Sequence, residues 1–328
     1  MGAPMTSDKL SSDNRQPSRI WSQSRLLLGL LLVLTASGGA SCPQFLANYP
    51  TAGPRVLPQT STLNDVISVV NENTAKIRTV HAPDASVSAP MTPSLRATLM
   101  IQRPRSFRVR AETLVTGPEV DLGSNDSLCW LWVKRSPTPG VFYCRHEQYP
   151  YSSVRQMIPV EPEWLIDAIG ITGFDPAGQH SGPYPVGKGR LEIRTQLARR
   201  EGTMTKITII DSARAWVLEQ HLYDARGTRI ASSLTSQHWH DPESGVTLPK
   251  HIEIQWPATQ TSLEITLRSL VINRPDIESD DWFALPNYPD APPVDAGDPR
   301  FRLPTATLPP AAAQQAPAQQ SRRWSLWR

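Results

Sequence analysis

Apolar and polar positions alternate along most of the chain between residues 95 and 273. Successive side chains of a strand point to opposite faces of a sheet, so each alternating run predicts a strand with one face out of water. Turn residues separate the runs, which cover residues 95–102, 106–112, 127–134, 141–147, 190–197, 204–211, 215–224, 228–240, 246–256 and 262–273. The pattern predicts a large, curved, meandering antiparallel sheet.

Two segments have helical spacing instead. Leu63, Val66 and Val70 recur every three or four residues after the capping candidates Ser61 and Thr62, which predicts an amphipathic helix over residues 62–77. Residues 150–175 form an apolar insertion, in which Pro162 marks a helix start and Gly170 its end. We therefore predict a mainly β (α+β) fold with few helices. The periodicity leaves open whether the insertion fills the sheet or closes a pocket.

The N-terminus has the pattern of an export signal. Basic residues precede an apolar run at 26–34, and small residues lead to Cys42. We interpret residues 1–41 as a signal peptide and Cys42 as a lipidated residue, because Gly39-Ala40-Ser41-Cys42 resembles a bacterial lipobox. An ordinary cleaved signal with a chance cysteine and a retained membrane anchor are the alternatives. Residues 42–60 are rich in proline and predict a lipid-anchored tether.

The remaining chain divides into one domain and a tail. Residues 61–288 hold the predicted helix and strands. Residues 289–328 are rich in Pro, Ala and Gln, and they lack the apolar area that offsets ordering entropy, which predicts disorder.

Composition and motifs exclude several functions. The 328 residues carry 33 Lys and Arg against 30 Asp and Glu, and these are scattered, so we expect no nucleic-acid partner. His238 and His240 share one strand face, but zinc needs three or four ligands, and we expect both at the surface. No Gly-x-Ser-x-Gly elbow or phosphate loop is present. We predict no catalytic residue, no metal, no cofactor and no enzymatic activity.

Export leaves Cys129 and Cys144 as a possible pair in an oxidising compartment. They lie in two predicted strands joined by residues 136–140. Pairing about that turn places them several residues out of register. We therefore expect two buried thiols, with a disulfide as the alternative.

The order of these parts resembles the LolA/LolB-type lipoprotein-carrier fold over roughly residues 61–288. The resemblance rests on this layout and on the stretches 106–111, 270–273 and 283–286. It implies an incomplete β-barrel that wraps a few helices and receives acyl chains in an apolar interior. LolB-like members are lipid-anchored, which agrees with Cys42. They also insert an exposed apolar loop into the membrane, and the sequence does not locate this loop.

An apolar concavity lined by alternating strands suits acyl chains. The candidate lining residues are Leu99, Ile101, Phe107, Val109, Trp130, Trp132, Phe142, Trp164, Leu165, Trp216, Leu218, Ile252, Ile254 and Trp256. Each of these side chains is an ordinary core residue if the interior is filled.

These features predict a lipoprotein on the periplasmic side of the cell envelope, at the outer rather than the inner membrane. An N-terminal lipid such as palmitate holds it on the membrane, and its cavity binds lipid or lipoprotein acyl chains as a carrier or acceptor. The alternative is a non-enzymatic envelope sensor or interaction domain with a filled core and a protein partner.

Overall fold

The computed structural model describes residues 53–90, 92–152, 154–157, 160–199, 202–274 and 280–302. The predicted signal peptide, Cys42 and the tail beyond residue 302 lie outside the described residues. Within that part of the chain, no helix is long and apolar enough to cross a membrane.

The described residues contain fifteen strands in one sheet and three α-helices. The helices are α1 (Leu63–Ala75), α2 (Val154–Met157) and α3 (Pro162–Ala168), with 3₁₀ turns at Tyr149–Tyr151, Pro257–Thr259 and Asp280–Phe283. The strands are β1 (Thr79–Ser88), β2 (Leu95–Gln102), β3 (Ser106–Thr113), β4 (Gly117–Ser124), β5 (Leu128–Val133), β6 (Val141–Arg145), β7 (Gln179–Pro185), β8 (Arg190–Arg199), β9 (Gly202–Asp211), β10 (Val217–Tyr223), β11 (Arg229–His240), β12 (Thr247–Trp256), β13 (Thr261–Leu267), β14 (Val271–Ile272) and β15 (Pro293–Asp295).

The strands follow the order β7-β8-β9-β10-β11-β12-β13-β1-β2-β3-β4-β5-β6-β15, and β14 also pairs with β1. Their pairing is antiparallel except for β15, which runs parallel to β6. Strands β7 and β15 end this order on opposite sides, so the described strands form an open sheet. The predicted mainly β fold, a large curved antiparallel sheet and incomplete barrel, is confirmed.

Each of the ten predicted runs coincides with a strand, and the last contains both β13 and β14. The pattern misses β1, β4 and β7 for a common reason, which is that proline or a bulge interrupts their alternation. In β1 the register shifts between Ala82 and Ala85 around Pro83. Strand β7 contains Pro183, which an edge strand accommodates because its N–H side needs no partner.

The inner face of the sheet packs on α3. In β3 the side chains of Phe107, Val109 and Ala111 are buried, while Arg110 between them is exposed. These side chains join a large core cluster that also contains Ala168 of α3. The alternation therefore places one apolar face of the sheet against the insertion.

Helix α1 begins after Thr62, one of the two predicted N-caps, and the structure adds a capping box there. The Asp65 N–H donates to Thr62 Oγ1 at 3.2 Å, and the Thr62 N–H donates to Asp65 Oδ2 at 2.7 Å. Its buried residues Val66 and Val70 pack in a cluster with Leu57. Leu57 lies within the predicted tether, so that prediction is wrong for residues 53–60, because this apolar side chain holds the segment on the domain.

The outer face of β2–β5 is covered by a segment that we name the C-terminal strap (residues 281–302). The Tyr288 ring stacks on Trp132 at 3.8 Å between centroids, and Phe283 packs on Met100. Strand β15 lies in this strap. The predicted disorder is therefore wrong for residues 289–302, because backbone pairing with β6 and a few buried alanines order a segment of low apolar content.

Candidate functional site

The helical insertion (residues 149–171) is fastened to the inner face by hydrogen bonds from the sheet. Gln220 Nε2 donates to the Asp167 carbonyl at 2.6 Å, and Ser233 Oγ donates to the Ala168 carbonyl at 2.6 Å. Gln220 and Ser233 face each other on neighbouring strands. The Asp167 carbonyl also accepts the Gly170 N–H at 2.9 Å, so the bonds from the sheet add to the capping at the end of α3.

The exit from α3 requires glycine. Gly170 has a φ of +97°, and a Cβ there would lie 2.7 Å from Pro249 Cδ. The predicted helix end at Gly170 is therefore confirmed, and its cause is a left-handed backbone next to a closely packed proline.

A partly buried ion pair joins the insertion to β9. Lys206 Nζ lies 2.8 Å from Asp167 Oδ2 and 3.4 Å from Thr172 Oγ1. The Lys206 side chain is only 7% exposed. Loss of one partner would leave the other charge unpaired and incompletely solvated, which is unfavourable. The pair therefore holds the insertion in one position.

An apolar cavity of about 260 Å³ lies between the insertion and strands β8–β11. Its apolar walls come from both sides and consist of Tyr149, Pro150, Tyr151, Val160 and Trp164 on the insertion and Leu197, Met204, Leu222 and Ile230 on the strands. Tyr149 is buried and its hydroxyl donates to the Val160 carbonyl at 2.6 Å. Burial raises the pKa of Tyr149 above its ordinary value, so this donor stays protonated.

The carboxylates at the cavity are all paired with cations. Arg199 and Glu161 form an ion pair of 2.8 Å, and Arg105 reaches Glu163 at 3.1 Å. With the Lys206–Asp167 pair, each of the carboxylates that line the cavity has a cationic partner. The cavity therefore offers apolar surface without an unpaired carboxylate.

The structure places the predicted lining residues in different parts of the domain. Of these residues only Trp164 lines the cavity. Most of the others are packed in the main core, namely Leu99, Ile101, Phe107, Val109, Phe142, Leu165, Ile252 and Ile254, with Trp256 partly buried against them. Alternation with a period of two identifies the face of a strand, but it does not show whether the space above that face is filled.

Two further pairs of predicted lining residues lie elsewhere. Trp130 and Trp132 alternate with Cys129 and therefore point to the outer face, where the strap covers them. Trp216 stacks on His238 at 4.8 Å between ring centroids, and neither Trp216 nor Leu218 lines the cavity. These placements correct the sequence prediction. Because both faces of β5 are apolar, the pattern gives no means of choosing between them.

The cavity residues on the strands, which the sequence pattern misses, share one feature, which is a position next to a turn. Leu197 and Met204 face each other across the β8–β9 turn, and Leu222 and Ile230 flank the β10–β11 turn. An apolar residue at the end of a strand is the signal that marks them. The insertion leaves these strand ends less completely covered than the strand centres.

The cysteines correct the predicted register. Cys129 on β5 lies directly opposite Cys144 on β6, with the two Sγ atoms 3.5 Å apart and both residues buried. The predicted offset assumed a hairpin symmetric about residues 136–140. The observed loop is asymmetric, because the Ser136 N–H turns back to the Val133 carbonyl and shortens the β5 side.

The two histidines of β11 have different hydrogen-bond partners. His238 is buried, and its Nε2 lies 3.1 Å from the Val217 carbonyl oxygen, while His240 Nδ1 lies 3.0 Å from Thr247 Oγ1. The expectation that both histidines lie at the surface is wrong for His238, because Trp216 covers its ring. Burial lowers the pKa of His238. The described residues contain no group of three or more His, Cys, Asp or Glu side chains placed for a metal.

The β3–β4 turn carries the most exposed large apolar side chains of the described chain. Leu114 is 82% exposed and Val115 is 93% exposed. Two cations lie beside this turn, since Lys134 Nζ donates to the Thr116 carbonyl and Arg135 lies 3.5 Å from Glu119. The apolar and polar pattern of the sequence does not locate this apolar loop. Its signal is a Leu-Val pair between threonines in a turn.

The apolar turn and the cavity lie at the same edge of the sheet. Successive hairpin turns of an antiparallel sheet lie at opposite ends of its strands. The pairing of successive strands therefore shows at which of these two ends, here called edges, each turn lies. The pairs from β3 through β1, β13 and β11 to β9 place the β3–β4, β8–β9 and β10–β11 turns at one edge. We name this the turn edge.

No protein-family model matches the chain, and no curated protein matches it. Similar solved structures include a domain provisionally described as an outer membrane lipoprotein-sorting protein from Vibrio parahaemolyticus, with 9% identity and a TM-score of 0.47 over 66% of this chain and 98% of that chain. A LolA superfamily protein from Nitrosomonas europaea has 10% identity and a TM-score of 0.43, with 69% and 98% covered. A DUF1329 family protein from Desulfovibrio piger has 9% identity and a TM-score of 0.45, with the same coverage.

Proposed function

We propose that this protein binds the acyl chain of a lipid or lipoprotein in the cavity between the insertion and strands β8–β11. The observation that carries the proposal is an apolar cavity at the turn edge whose carboxylates are all paired. A cavity of about 150 Å³ accommodates one benzene ring. A cavity of about 260 Å³ therefore fits a short length of hydrocarbon.

Membrane contact is the second part of the proposal. We propose that Leu114 and Val115 enter the bilayer surface and bring the cavity mouth to the lipid. Exposed apolar side chains flanked by cations are typical of segments that lie in the membrane interface. Lipidation at Cys42, in the cell envelope and at the outer membrane, would hold the protein near that surface and stays a prediction from the sequence.

A cavity-filling variant tests acyl binding. Met204→Trp places a larger ring in the cavity, while Thr203→Trp adds the same ring at an exposed position on the other face of β9. We expect a fluorescent fatty-acyl probe to bind the parent chain and the Thr203 variant equally. We expect it to bind the Met204 variant at least about tenfold more weakly. Equal binding by all three chains would contradict the assignment to this cavity.

Vesicle flotation tests membrane contact on the chain that begins at residue 43, which lacks the predicted signal peptide and Cys42. We expect Leu114→Asp with Val115→Asp to abolish flotation with vesicles that contain anionic lipid. Val186→Asp alters another exposed valine, in the turn between β7 and β8 at the other edge, and should leave flotation unchanged. Unchanged flotation of the Leu114–Val115 variant would exclude this turn as the contact.

One observation favours a second function, that of an envelope interaction domain with a filled core. Leu99, Ile101, Phe107 and Ile254 are almost fully buried against neighbouring side chains. The cavity also lies just below the range of about 300–1,000 Å³ of typical ligand pockets. Native mass spectrometry separates the two functions. Absence of lipid in repeated preparations, together with failure of the acyl probe to bind, would favour the interaction domain.

A further inference from the structure

The facing thiols of β5 and β6 have the geometry of an unformed cross-link. Directly opposed residues of antiparallel strands have Cα atoms about 4.5–5.5 Å apart, which lies within the 4.4–6.8 Å range of disulfides. Cys129 and Cys144 are such a pair, and their Sγ atoms are 3.5 Å apart. Rotation of the side chains can therefore bring the sulfur atoms to bonding distance without movement of the strands.

We propose that Cys129 and Cys144 form a disulfide that staples strand β5 to strand β6. The pair lies near one end of the sheet, where β6 has β5 on one side and only the three-residue strand β15 on the other. A covalent link here would hold the strand that receives the strap. The same core cluster contains Tyr149 and Val154 of the insertion, so the staple also supports the first turns of that segment.

The chemistry needs a disulfide oxidant such as oxidised glutathione. The Cys144 thiolate attacks one glutathione sulfur, which forms a mixed disulfide and releases one glutathione. Cys129 then attacks Cys144 Sγ, forms the intramolecular bond and releases the second glutathione. Two electrons pass to the oxidant, and the two thiol protons end on the glutathione thiols.

The surroundings support this order of attack. Cys144 Sγ lies 3.5 Å from Cys129 Sγ, a contact in which either thiol can donate, and it accepts from the Ser152 hydroxyl at 3.8 Å. The contact with Cys129 lowers the pKa of the Cys144 thiol. The same contact, together with burial, raises the pKa of the Cys129 thiol. Both residues are closed to solvent in the folded chain, so the oxidant must reach them before β6 is covered.

Peptide mapping of the full chain tests the proposal. The chain is refolded in a glutathione redox buffer, alkylated in denaturant without reductant and digested with trypsin. Cleavage after Lys134 and Arg135 separates the Cys129 peptide (111–134) from the Cys144 peptide (136–145), and neither contains Cys42. We expect the two peptides to be recovered linked as the main species. The Cys129→Ala variant should give no such product.

Thermal unfolding supplies a second measurement. A loop of this size predicts that the linked protein melts about 5–10 °C above the same chain treated with a reductant. The double variant Cys129→Ala with Cys144→Ala should show no response to the reductant. Recovery of both peptides as separate alkylated species from refolded chain would overturn the proposal. A linked form that melts at or below the reduced form would do so too. Either result leaves the acyl-binding proposal untouched, because the cavity residues are different.

Discussion

The polar contacts that fasten other segments to the sheet lie on opposite faces in its two halves. In β1–β6, with the strap, they converge on the outer face at Asp121, a fully buried carboxylate. It accepts hydrogen bonds from Arg108, from Trp130 Nε1 at 3.0 Å and from the Tyr288 hydroxyl at 2.8 Å. In β8–β12 three buried polar side chains of the inner face, Lys206, Gln220 and Ser233, fasten the insertion.

This difference explains where the cavity lies. The first half is covered on both faces, by the strap outside and by the core inside, and its apolar side chains interdigitate. In the second half Lys206, Gln220 and Ser233 occupy positions on the inner face, and they contact the insertion at a few polar points. Polar contacts at a few points leave space between the apolar side chains beside them, and this space is the cavity.

The largest expected effect tests the first half. Asp121→Ala leaves the partly buried Arg108, the Trp130 N–H and the Tyr288 hydroxyl without their acceptor, and we expect a loss of about 3–5 kcal/mol in the free energy of unfolding. Urea denaturation measures it. Asp84→Ala removes a carboxylate whose pair with Arg268 is half exposed, and it should cost less than about 1 kcal/mol. Similar losses in both variants would show that the strap is not fastened at Asp121.

The matching change in the second half is Lys206→Met. It leaves Asp167 without its cation, and we expect a loss of about 2–4 kcal/mol with faster amide exchange in the insertion. Arg199→Met breaks a more exposed pair at the same cavity and should cost under about 1 kcal/mol. If amide exchange quickened in the strap instead of the insertion, the assignment of the two halves would be wrong.

Alkaline pH should weaken the first half selectively. Burial, with the nearby Asp121 carboxylate, raises the pKa of Tyr288 to about 12. The neutral phenol is therefore favoured by folding, and its contribution is complete below about pH 10 and lost as the pH rises toward 12. We expect Tyr288→Phe to be about 1 kcal/mol less stable than the parent at pH 8, and this gap to shrink by pH 11. A gap that is constant across this range would contradict the assignment.

The smallest effect compares one tryptophan from each half. The Trp164 indole N–H is buried and has no hydrogen-bond partner among the described residues, whereas the Trp130 N–H donates to Asp121. Trp164→Phe removes an unsatisfied donor and should change the free energy of unfolding by less than about 1 kcal/mol. Trp130→Phe leaves a buried acceptor short of one donor and should cost about 1–3 kcal/mol. Thermal unfolding of the two variants gives the comparison, and an equal loss would contradict it.

Much of the fold is predictable because its information is local. A period of two identifies the strands from β2 to β13 that have one apolar face, and Thr62 and Gly170 mark the ends of helices through hydrogen bonding and backbone sterics. Strands β1 and β7 are not predicted because proline interrupts the alternation of apolar and polar residues. The sequence pattern does not predict that the strap is ordered, because few of its residues are apolar and the residues it contacts are far away in the chain.

The sequence by itself determined most strands of the sheet, the position of the insertion and the buried face of each strand that has a single apolar face, since these follow from side-chain alternation and from caps within a few residues. Only the tertiary structure decided which buried side chains fill the interior and which border a cavity. It also decided that Trp130 and Trp132 face the strap, and that Cys129 and Cys144 stand opposite each other. The physical reason is that packing depends on which distant surface covers a residue, and no local pattern along the chain records this.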